Sequence, residues 1–228
     1  MTFGSTFGRV LSPTFQPSSQ AAGGIVGGTV TVGAAADTWL NKASPYTQNY
    51  GGATGLGFNT SDIRKSLYRF NLSSIPASAT CTAAKITLTG SSTVYSGRKF
   101  LAYEIASANG DWVEGTADGS AETGSPSWNY KAYHASTPTS WAGSTGMSTA
   151  GTDYIDTLIA ESAGTAVSPN NPIDIVFNAS GLAVVKSWFG ESTNNGVAIW
   201  YNTGASFNMY SKENATESYR PTLTVTYE

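Results

Sequence analysis

The amino-acid sequence predicts an all-β protein, an antiparallel β-sandwich of jelly-roll type with one short helix and an extended N-terminal arm. The 228 residues include 25 Gly, 29 Ser and 29 Thr, about a third of the chain. Thr belongs to the residues favoured in strands, and Gly and Ser to those favoured in turns, so long helices are not expected. Only 12% of the residues are charged, against about 25% in a typical soluble domain.

The first 24 residues differ from the rest, and we predict that they form an extended arm ahead of a single domain, residues 25–228. Their apolar side chains are scattered among Gly, Ser and Pro, without the roughly 7 to 15 consecutive apolar residues of a secretory signal. We expect this arm to dock on a neighbouring subunit; packing on its own domain is the alternative. The residues expected to make the contact are Phe3, Phe7, Arg9, Leu11 and Phe15.

Strand-like runs then follow one another along the domain, separated by turn signals. Alternation of apolar and polar residues, and Val- and Thr-rich composition, predict strands, whereas residues 44–57, rich in Gly, Pro and Asn, predict a loop. A count of about ten favours two packed antiparallel sheets. The predicted strands are 25–32, 37–41, 63–70, 85–89, 100–105, 152–159, 173–177, 197–201, 205–211 and 222–227.

One short helix is expected at residues 180–189. Ser180 is the expected N-cap and Gly190 the expected end of the helix, because a hydroxyl caps free backbone N–H groups and glycine accepts a left-handed conformation. The apolar side chains that share one face of this helix are Leu182, Val185 and Trp188.

Charge and cysteine content exclude several classes of function. The net charge of −3 and the absence of a basic stripe argue against nucleic-acid binding, and no apolar run approaches the roughly 20 residues of a membrane span. Cys81 is the only cysteine, so a disulfide within the chain is excluded, and we expect it to be a small buried hydrophobe.

The longest irregular stretch, residues 106–151, is rich in aromatic residues. Sugar rings stack on exposed Trp and Tyr, so this stretch is a candidate glycan-binding platform; the alternative is that its aromatics pin the loop onto the sheet. The candidate residues are Trp112, Trp128, Tyr130, Tyr133 and Trp141.

The sequence has few candidate catalytic residues, and we predict that the protein is not an enzyme. His134 is the only histidine, and the chain contains no GxSxG sequence, which argues against a serine triad. The acidic residues of the long loop are candidates for a calcium shell, although such residues more often cap turns. They are Asp111, Glu114, Asp118 and Glu122.

An ordered set of short motifs resembles the DNRLRE domain, also described as disaggregatase-related. The motifs are ADTWLN (36–41), QNYGG (48–52), the run 66–90, WVEG (112–115), SWNY (127–130), LAVVKSWFG (182–190), NNGVAI (194–199), MYSKEN (209–214) and RPTLTVTY (220–227). The resemblance implies a β-sandwich of carbohydrate-binding-module type, found beside polysaccharide-degrading enzymes, on cell surfaces and in phage structural proteins, with acidic glycans bound by some members.

The same resemblance singles out Asp37, Arg69 and Glu213, besides Trp112 and Glu114. We expect Arg69 and Glu213 to form a structural ion pair that locks strands together. The alternative for Asp37 and Glu213 is a metal site, with calcium as the ion. No other cofactor is expected.

Two functions are compatible with these observations. The first is a virion structural protein, a phage capsid decoration or tail-associated protein, anchored by its arm to other subunits in an oligomer or lattice and displaying the domain toward host glycans. The alternative is a secreted, extracellular carbohydrate-binding module that targets an acidic polysaccharide.

Overall fold

The computed structural model describes Met1 and residues 26–190, 194–204 and 206–228, so the predicted arm contacts Phe3, Phe7, Arg9, Leu11 and Phe15 lie outside the described residues. The first strands are β1 (Gly28–Asn41), β2 (Gln48–Asn49), β3 (Gly55–Phe58), β4 (Arg64–Phe70), β5 (Cys81–Thr89), β6 (Phe100–Ile105) and β7 (Ser120–Ala121). The others are β8 (Tyr130–Ala132), β9 (Thr139–Ser140), β10 (Tyr154–Ser162), β11 (Pro172–Phe177), β12 (Val197–Tyr201), β13 (Phe207–Tyr210) and β14 (Thr222–Tyr227). The helical elements are α1 (Ala179–Ser187) and two 3-10 turns, Ser107–Asn109 and Glu217–Tyr219.

Eight strands pair into one closed antiparallel sheet, in the order β1, β14, β5, β11, β10, β6, β12 and β4, with β4 returning to β1. The predicted all-β class and the antiparallel pairing are therefore confirmed. The pairing does not show the two separate sheets expected of a jelly roll. The sheet closes because β1 pairs with β14 along one part of its length and with β4 along the other. Residues 28–33 of β1 pair with β14, and residues 34–41 pair with β4.

A β-bulge divides β1 at the point where it changes partner. Ala34 pairs with Phe70 and Ala36 with Arg69, so Ala35 is an extra residue on β1. One extra residue shifts the alternation of a strand by one position, so the residues beyond it exchange faces. The sequence predicted two strands here, 25–32 and 37–41, because the small residues between them resemble a break; the structure continues through them as one strand.

An apolar core, here called the inner cluster, fills the closed sheet. Val197, Ile199 and Tyr201 of β12, and Tyr68 and Phe70 of β4, belong to it, as expected for strands whose side chains alternate between faces. Cys81 is buried there as a small side chain, as predicted. The largest members include Tyr68, Phe70, Phe100, Trp188, Phe189 and Tyr201.

Helix α1 packs against this core, with Val185 buried. The predicted helix exists, but its N-cap is Asn178 and not Ser180, since the Asn178 side chain accepts a hydrogen bond from Gly181 N at 3.0 Å. A Cβ on Gly181 would lie 2.1 Å from Ile159 O, so only glycine allows the helix to lie this close to β10. The helix ends at Ser187, with Trp188 as its C-cap, so the predicted end at Gly190 is wrong: Gly190 has a φ of +71° but lies two residues beyond the cap, and its N donates to Ile75 O. None of the described helices is long and apolar enough to span a membrane.

The outward faces of β4, β6 and β12 carry a second core, here called the outer cluster, which the long loop 106–151 covers. All five residues of β12 are buried, because one face lies against the inner cluster and the other lies under this loop. The buried members are Leu40, Leu67, Ile105, Trp112, Trp128, Trp141, Met147, Ala198 and Trp200.

Candidate functional site

The aromatic residues of the long loop do not form the exposed platform considered for them. Trp112, Trp128 and Trp141 are each less than 5% exposed and belong to the outer cluster. A buried ring offers no face to a sugar, so these three tryptophans pin the loop to the sheet. Tyr130 and Tyr133 are half-buried, with ring centroids 6.1 Å apart.

Each of these tryptophans is held by polar contacts besides packing. Trp112 Nε1 donates to Asn195 O at 3.0 Å, and Trp141 Nε1 donates to Ser127 O at 3.0 Å. The Lys65 ammonium lies 5.6 Å from the ring centroid of Trp128. Buried indole N–H groups and cations need such partners, so the loop is fixed by a network and not by apolar contact alone.

Arg69 does not pair with Glu213, and the predicted ion pair is wrong. The Arg69 guanidinium carbon lies 4.6 Å from the centroid of the Trp112 ring, and Nη2 donates to Gly110 O at 2.6 Å and to Trp112 O at 3.2 Å. Burial lowers the pKa of Arg69, and the charge of Asp111 opposes this shift. Arg69 therefore holds the beginning of the long loop, and Glu213 contacts Lys212 instead.

The loop carboxylates do not gather into one calcium shell. Asp111 pairs with Lys131 at 2.7 Å. Glu122 accepts hydrogen bonds from the backbone N of Thr116 at 2.6 Å and of Ala117 at 3.0 Å, as a turn-capping residue does. Asp118 is exposed, whereas Glu114 reaches a different group of carboxylates beside β1.

The bulge in β1 determines where Asp37 points. Val30 and Val32, before the bulge, pack against the inner cluster, whereas Ala36 and Leu40, beyond it, belong to the outer cluster. Asp37 therefore faces inward and is 0% exposed. Its backbone N donates to Glu114 Oε1 at 2.5 Å, so the loop carboxylate satisfies a backbone group beside the irregular pairing.

Three carboxylates meet at this position, and one lysine neutralises them in part. Oxygens of Asp37, Glu114 and Glu213 lie within 4.8 Å of one another. The Lys212 ammonium contacts Glu114 Oε2 at 3.0 Å and also Glu213 Oε1, and Lys212 N donates to Asp37 Oδ2 at 2.8 Å. The sequence placed Asp37 and Glu213 together, and the structure does so; Glu114 and Lys212 complete the group, here called the carboxylate cluster.

Burial sets the electrostatics of the carboxylate cluster. It raises the pKa of Asp37 to about 8, and the charges of Glu213 and Glu114 act in the same direction, against the hydrogen bond from Lys212 N. Burial also raises the pKa of Glu114. The pKa of Lys212 is raised although burial alone would lower it, because its hydrogen bonds to Glu213 and Glu114 and their charges favour the ammonium form. The cluster thus holds more negative charge than one lysine balances.

A surface groove of about 440 Å³ lies beside this cluster, where β1 and β14 meet. Lys212, which belongs to the cluster, also lines the groove. Arg220 stands in the groove, and its Nε donates to Asn214 O at 2.8 Å. Among the described residues, no carboxylate pairs with the Arg220 guanidinium and no hydrogen bond uses its Nη atoms. The other lining residues are Thr31, Gly33, Ala34, Glu217 and Thr222.

Sequence reasoning did not single out Lys212, Arg220 or the groove. Lys212 and Arg220 were visible in the MYSKEN and RPTLTVTY segments, but nothing in the linear pattern indicated that they line one surface. The pairing of β1 with β14 joins residues about 200 positions apart, and that pairing is what forms the groove.

A closed β-sheet with a polar surface groove is an architecture on which binding modules are built. Residues 28–132 match the model of carbohydrate-binding module family 96. The match supports a domain of carbohydrate-binding-module type, the class that the sequence resemblance implies, and it contains β1, Asp37, Arg69 and Glu114. No curated protein matches the chain, so the comparisons give no support to a phage or virion role.

Proposed function

We propose that this protein is a non-catalytic carbohydrate-binding protein, and that the groove between β1 and β14 binds an acidic polysaccharide. The observation that carries the proposal is Arg220, a half-buried cation in a groove of about 440 Å³ with no carboxylate partner among the described residues. The match to a carbohydrate-binding module family supports the same class of ligand. Such modules bind polysaccharide outside the cell, so we propose an extracellular location with it.

The chemistry of the groove favours a uronate over a neutral sugar. A guanidinium binds a carboxylate through two parallel hydrogen bonds, and the hydrogen bond to Asn214 O orients the Arg220 side chain before any ligand arrives. Thr31 and Thr222 offer hydroxyls, and Glu217 offers an acceptor for sugar hydroxyls. The tryptophans that would stack on neutral sugars are buried.

Affinity electrophoresis in native gels tests the proposal. The full chain is run with and without polygalacturonate, and with dextran as a neutral polysaccharide. We expect polygalacturonate to retard the protein and dextran not to do so, and Arg220→Gln to lose most of the retardation, about tenfold in affinity, because the bidentate contact is removed. The free energy of unfolding should fall by about 1 kcal/mol or less, since Arg220 gives up one hydrogen bond, to Asn214 O, and pairs with no described carboxylate.

Lys85→Gln is the matched control, because it removes the same charge from an exposed pair with Asp174 on β5 and β11. It should retain the retardation. If Arg220→Gln and Lys85→Gln behave alike, the ligand binds elsewhere on the domain. If no polysaccharide retards the protein, the proposed function is wrong.

A further inference from the structure

A second arginine without a carboxylate partner lies outside the groove that holds Arg220. Arg98 is half-buried in the connection that leads into β6. Its guanidinium carbon lies 5.0 Å from the ring centroid of Tyr95 and 5.8 Å from that of Phe207. Among the described residues, no carboxylate pairs with it. Aromatic rings therefore position this cation, and its charge stays available to a ligand.

A surface cavity of about 270 Å³ lies beside Arg98. Thr165 lines it and offers an exposed hydroxyl. Asp174 lines it as well, but both of its carboxylate oxygens are engaged on β5, where they accept hydrogen bonds from Lys85 and Thr87 at 2.7 Å. The guanidinium is thus the charge in this cavity that has no partner within the described part of the chain.

Tyr95 adds an aromatic ring to the same place. It is 59% exposed, more than any other aromatic residue that the structure describes. Sugar rings stack on exposed aromatic faces, and a guanidinium binds a carboxylate through two parallel hydrogen bonds. An exposed tyrosine beside an unpaired arginine therefore fits a sugar that carries a carboxylate.

Strand β13 links this place to the groove of Arg220. Phe207, its first residue, lies against Arg98. Tyr210, its last residue, stacks on Tyr219 with ring centroids 5.0 Å apart, and Tyr219 directly precedes Arg220. Three steps of about 3.4 Å along a strand amount to about 10 Å. The two arginines lie beyond opposite ends of this segment, so a chain of several sugars is long enough to contact both.

We propose that Arg98 and Tyr95 form a second subsite for the acidic polysaccharide, so that one polymer chain is bound at both ends of β13. This inference rests on the proposed function, because it takes the same ligand. Binding at the first subsite makes binding at the second intramolecular, which raises the affinity for long chains above that for short ones.

The experiment is calorimetric titration of the full chain with hexagalacturonate, which reaches both subsites, and with digalacturonate, which reaches one. We expect the wild type to bind hexagalacturonate about tenfold or more tightly than digalacturonate. Arg98→Gln should weaken hexagalacturonate binding about tenfold, because the bidentate contact is lost, and should then bind the two ligands about equally. Tyr95→Ala should weaken hexagalacturonate binding about fivefold through the lost stacking contact.

Lys186→Gln is the matched control, because it removes one positive charge from α1, at the opposite end of the closed sheet. It should bind both ligands as the wild type does. Thermal melts without ligand establish that each variant is folded, and Tyr95→Ala, at an exposed position, keeps the test valid if Arg98→Gln folds poorly.

The outcomes separate this inference from the proposed function. If Arg98→Gln and Tyr95→Ala bind hexagalacturonate as Lys186→Gln does, while Arg220→Gln weakens it, the second subsite is wrong and the groove of Arg220 stands. If the wild type binds neither ligand, the proposed function is wrong, and the second subsite with it.

Discussion

The inner and outer clusters both bury tryptophan, but they are closed by different forces. Around Trp188 the inner cluster is apolar, enclosed by the sheet and by α1. Around Trp112, Trp128 and Trp141 the outer cluster depends on buried charged groups. Lys65 donates to Gly146 O at 2.6 Å, and the outer cluster is also fixed by Arg69 and by Asp153, which is 0% exposed.

The contrast shows how a long loop can serve as the lid of a core. A sheet encloses apolar side chains through its own backbone pairing, whereas an irregular loop leaves backbone N–H and C=O groups that need partners. In this protein charged side chains from the sheet and the loop provide those partners. The outer cluster should therefore respond to charge changes that leave the inner cluster unaffected.

Removal of the Asp153 carboxylate should have the largest effect. It accepts four hydrogen bonds, at 2.8 to 3.0 Å, from Asn109 Nδ2 and from the backbone N of Gly143, Ser144 and Thr149. Asp153→Ala leaves these donors without an acceptor, and we expect a loss on the order of 5 kcal/mol in the free energy of unfolding, at about 1 to 3 kcal/mol per charged hydrogen bond. Urea unfolding measures it.

Ile86→Ala and Asp174→Ala are the comparisons. Ile86 belongs to the inner cluster, and Ile86→Ala should lower the free energy of unfolding by about 2 to 5 kcal/mol because of the cavity that it leaves. It should not speed proteolysis of the loop 106–151 when variants of equal overall stability are compared. Asp174 belongs to an exposed ion pair, so Asp174→Ala should lower the free energy of unfolding by about 1 kcal/mol or less. An Asp153→Ala loss as small as that of Asp174→Ala would show that charge does not hold the outer cluster.

The titration of Lys65 should cause the next largest change in the free energy of unfolding. Burial lowers its pKa to about 8 from 10.5, against the charges of Asp62 and Asp153. Between these pH values the unfolded chain holds the proton and the folded chain does not, so the free energy of unfolding rises with pH. Relative to Lys65→Met, wild type should gain on the order of 3 kcal/mol across this window.

Chemical unfolding at pH 7.5, 8.5, 9.5 and 10.5 measures that difference, and taking it between two variants removes the contribution of the tyrosines. A constant difference would mean that Lys65 titrates alike in the folded and unfolded chain. The inner cluster variant Ile86→Ala should show a constant difference from wild type over the same range.

Arg69→Met should have the smallest of the three effects. It keeps much of the packing on Trp112 but removes two hydrogen bonds to the Gly110 and Trp112 carbonyls, so we expect a loss of about 2 kcal/mol. Glu213→Gln should not share this loss, because the two residues do not pair. A double-mutant cycle measures their coupling, which we expect to be near zero; a coupling of 1 kcal/mol or more would restore the predicted ion pair.

The sequence predicted the regular part of the fold better than the loops. Alternation located most strands of the closed sheet, because it depends on local backbone geometry. Alternation could not show that residues 34–36 continue β1 through a bulge, nor that the predicted loop 44–57 contains β2 and the beginning of β3. The same limit applies to the tryptophans, since an aromatic loop that covers a sheet and one that displays its rings have similar composition.

The candidate site was predictable in part. The resemblance brought Asp37 and Glu213 to attention, and the structure places them together with Glu114. The predicted ion pair of Arg69 was wrong because a cation in a strand can be stabilised by carbonyls and an aromatic face as well as by a carboxylate. Arg220 was missed because its surroundings come from strand pairing across nearly the whole domain.

That pairing also determines when the protein can fold. Gly28 lies opposite Tyr227, and Thr29 and Thr31 hydrogen-bond to Thr226 and Thr224. The sheet cannot close until the last strand has left the ribosome, and contacts of such long sequence separation form slowly. The edge of β1 that pairs with β14 therefore stays unpaired during synthesis. A circular permutant joined between residues 28 and 227 and opened at an exposed loop should fold faster.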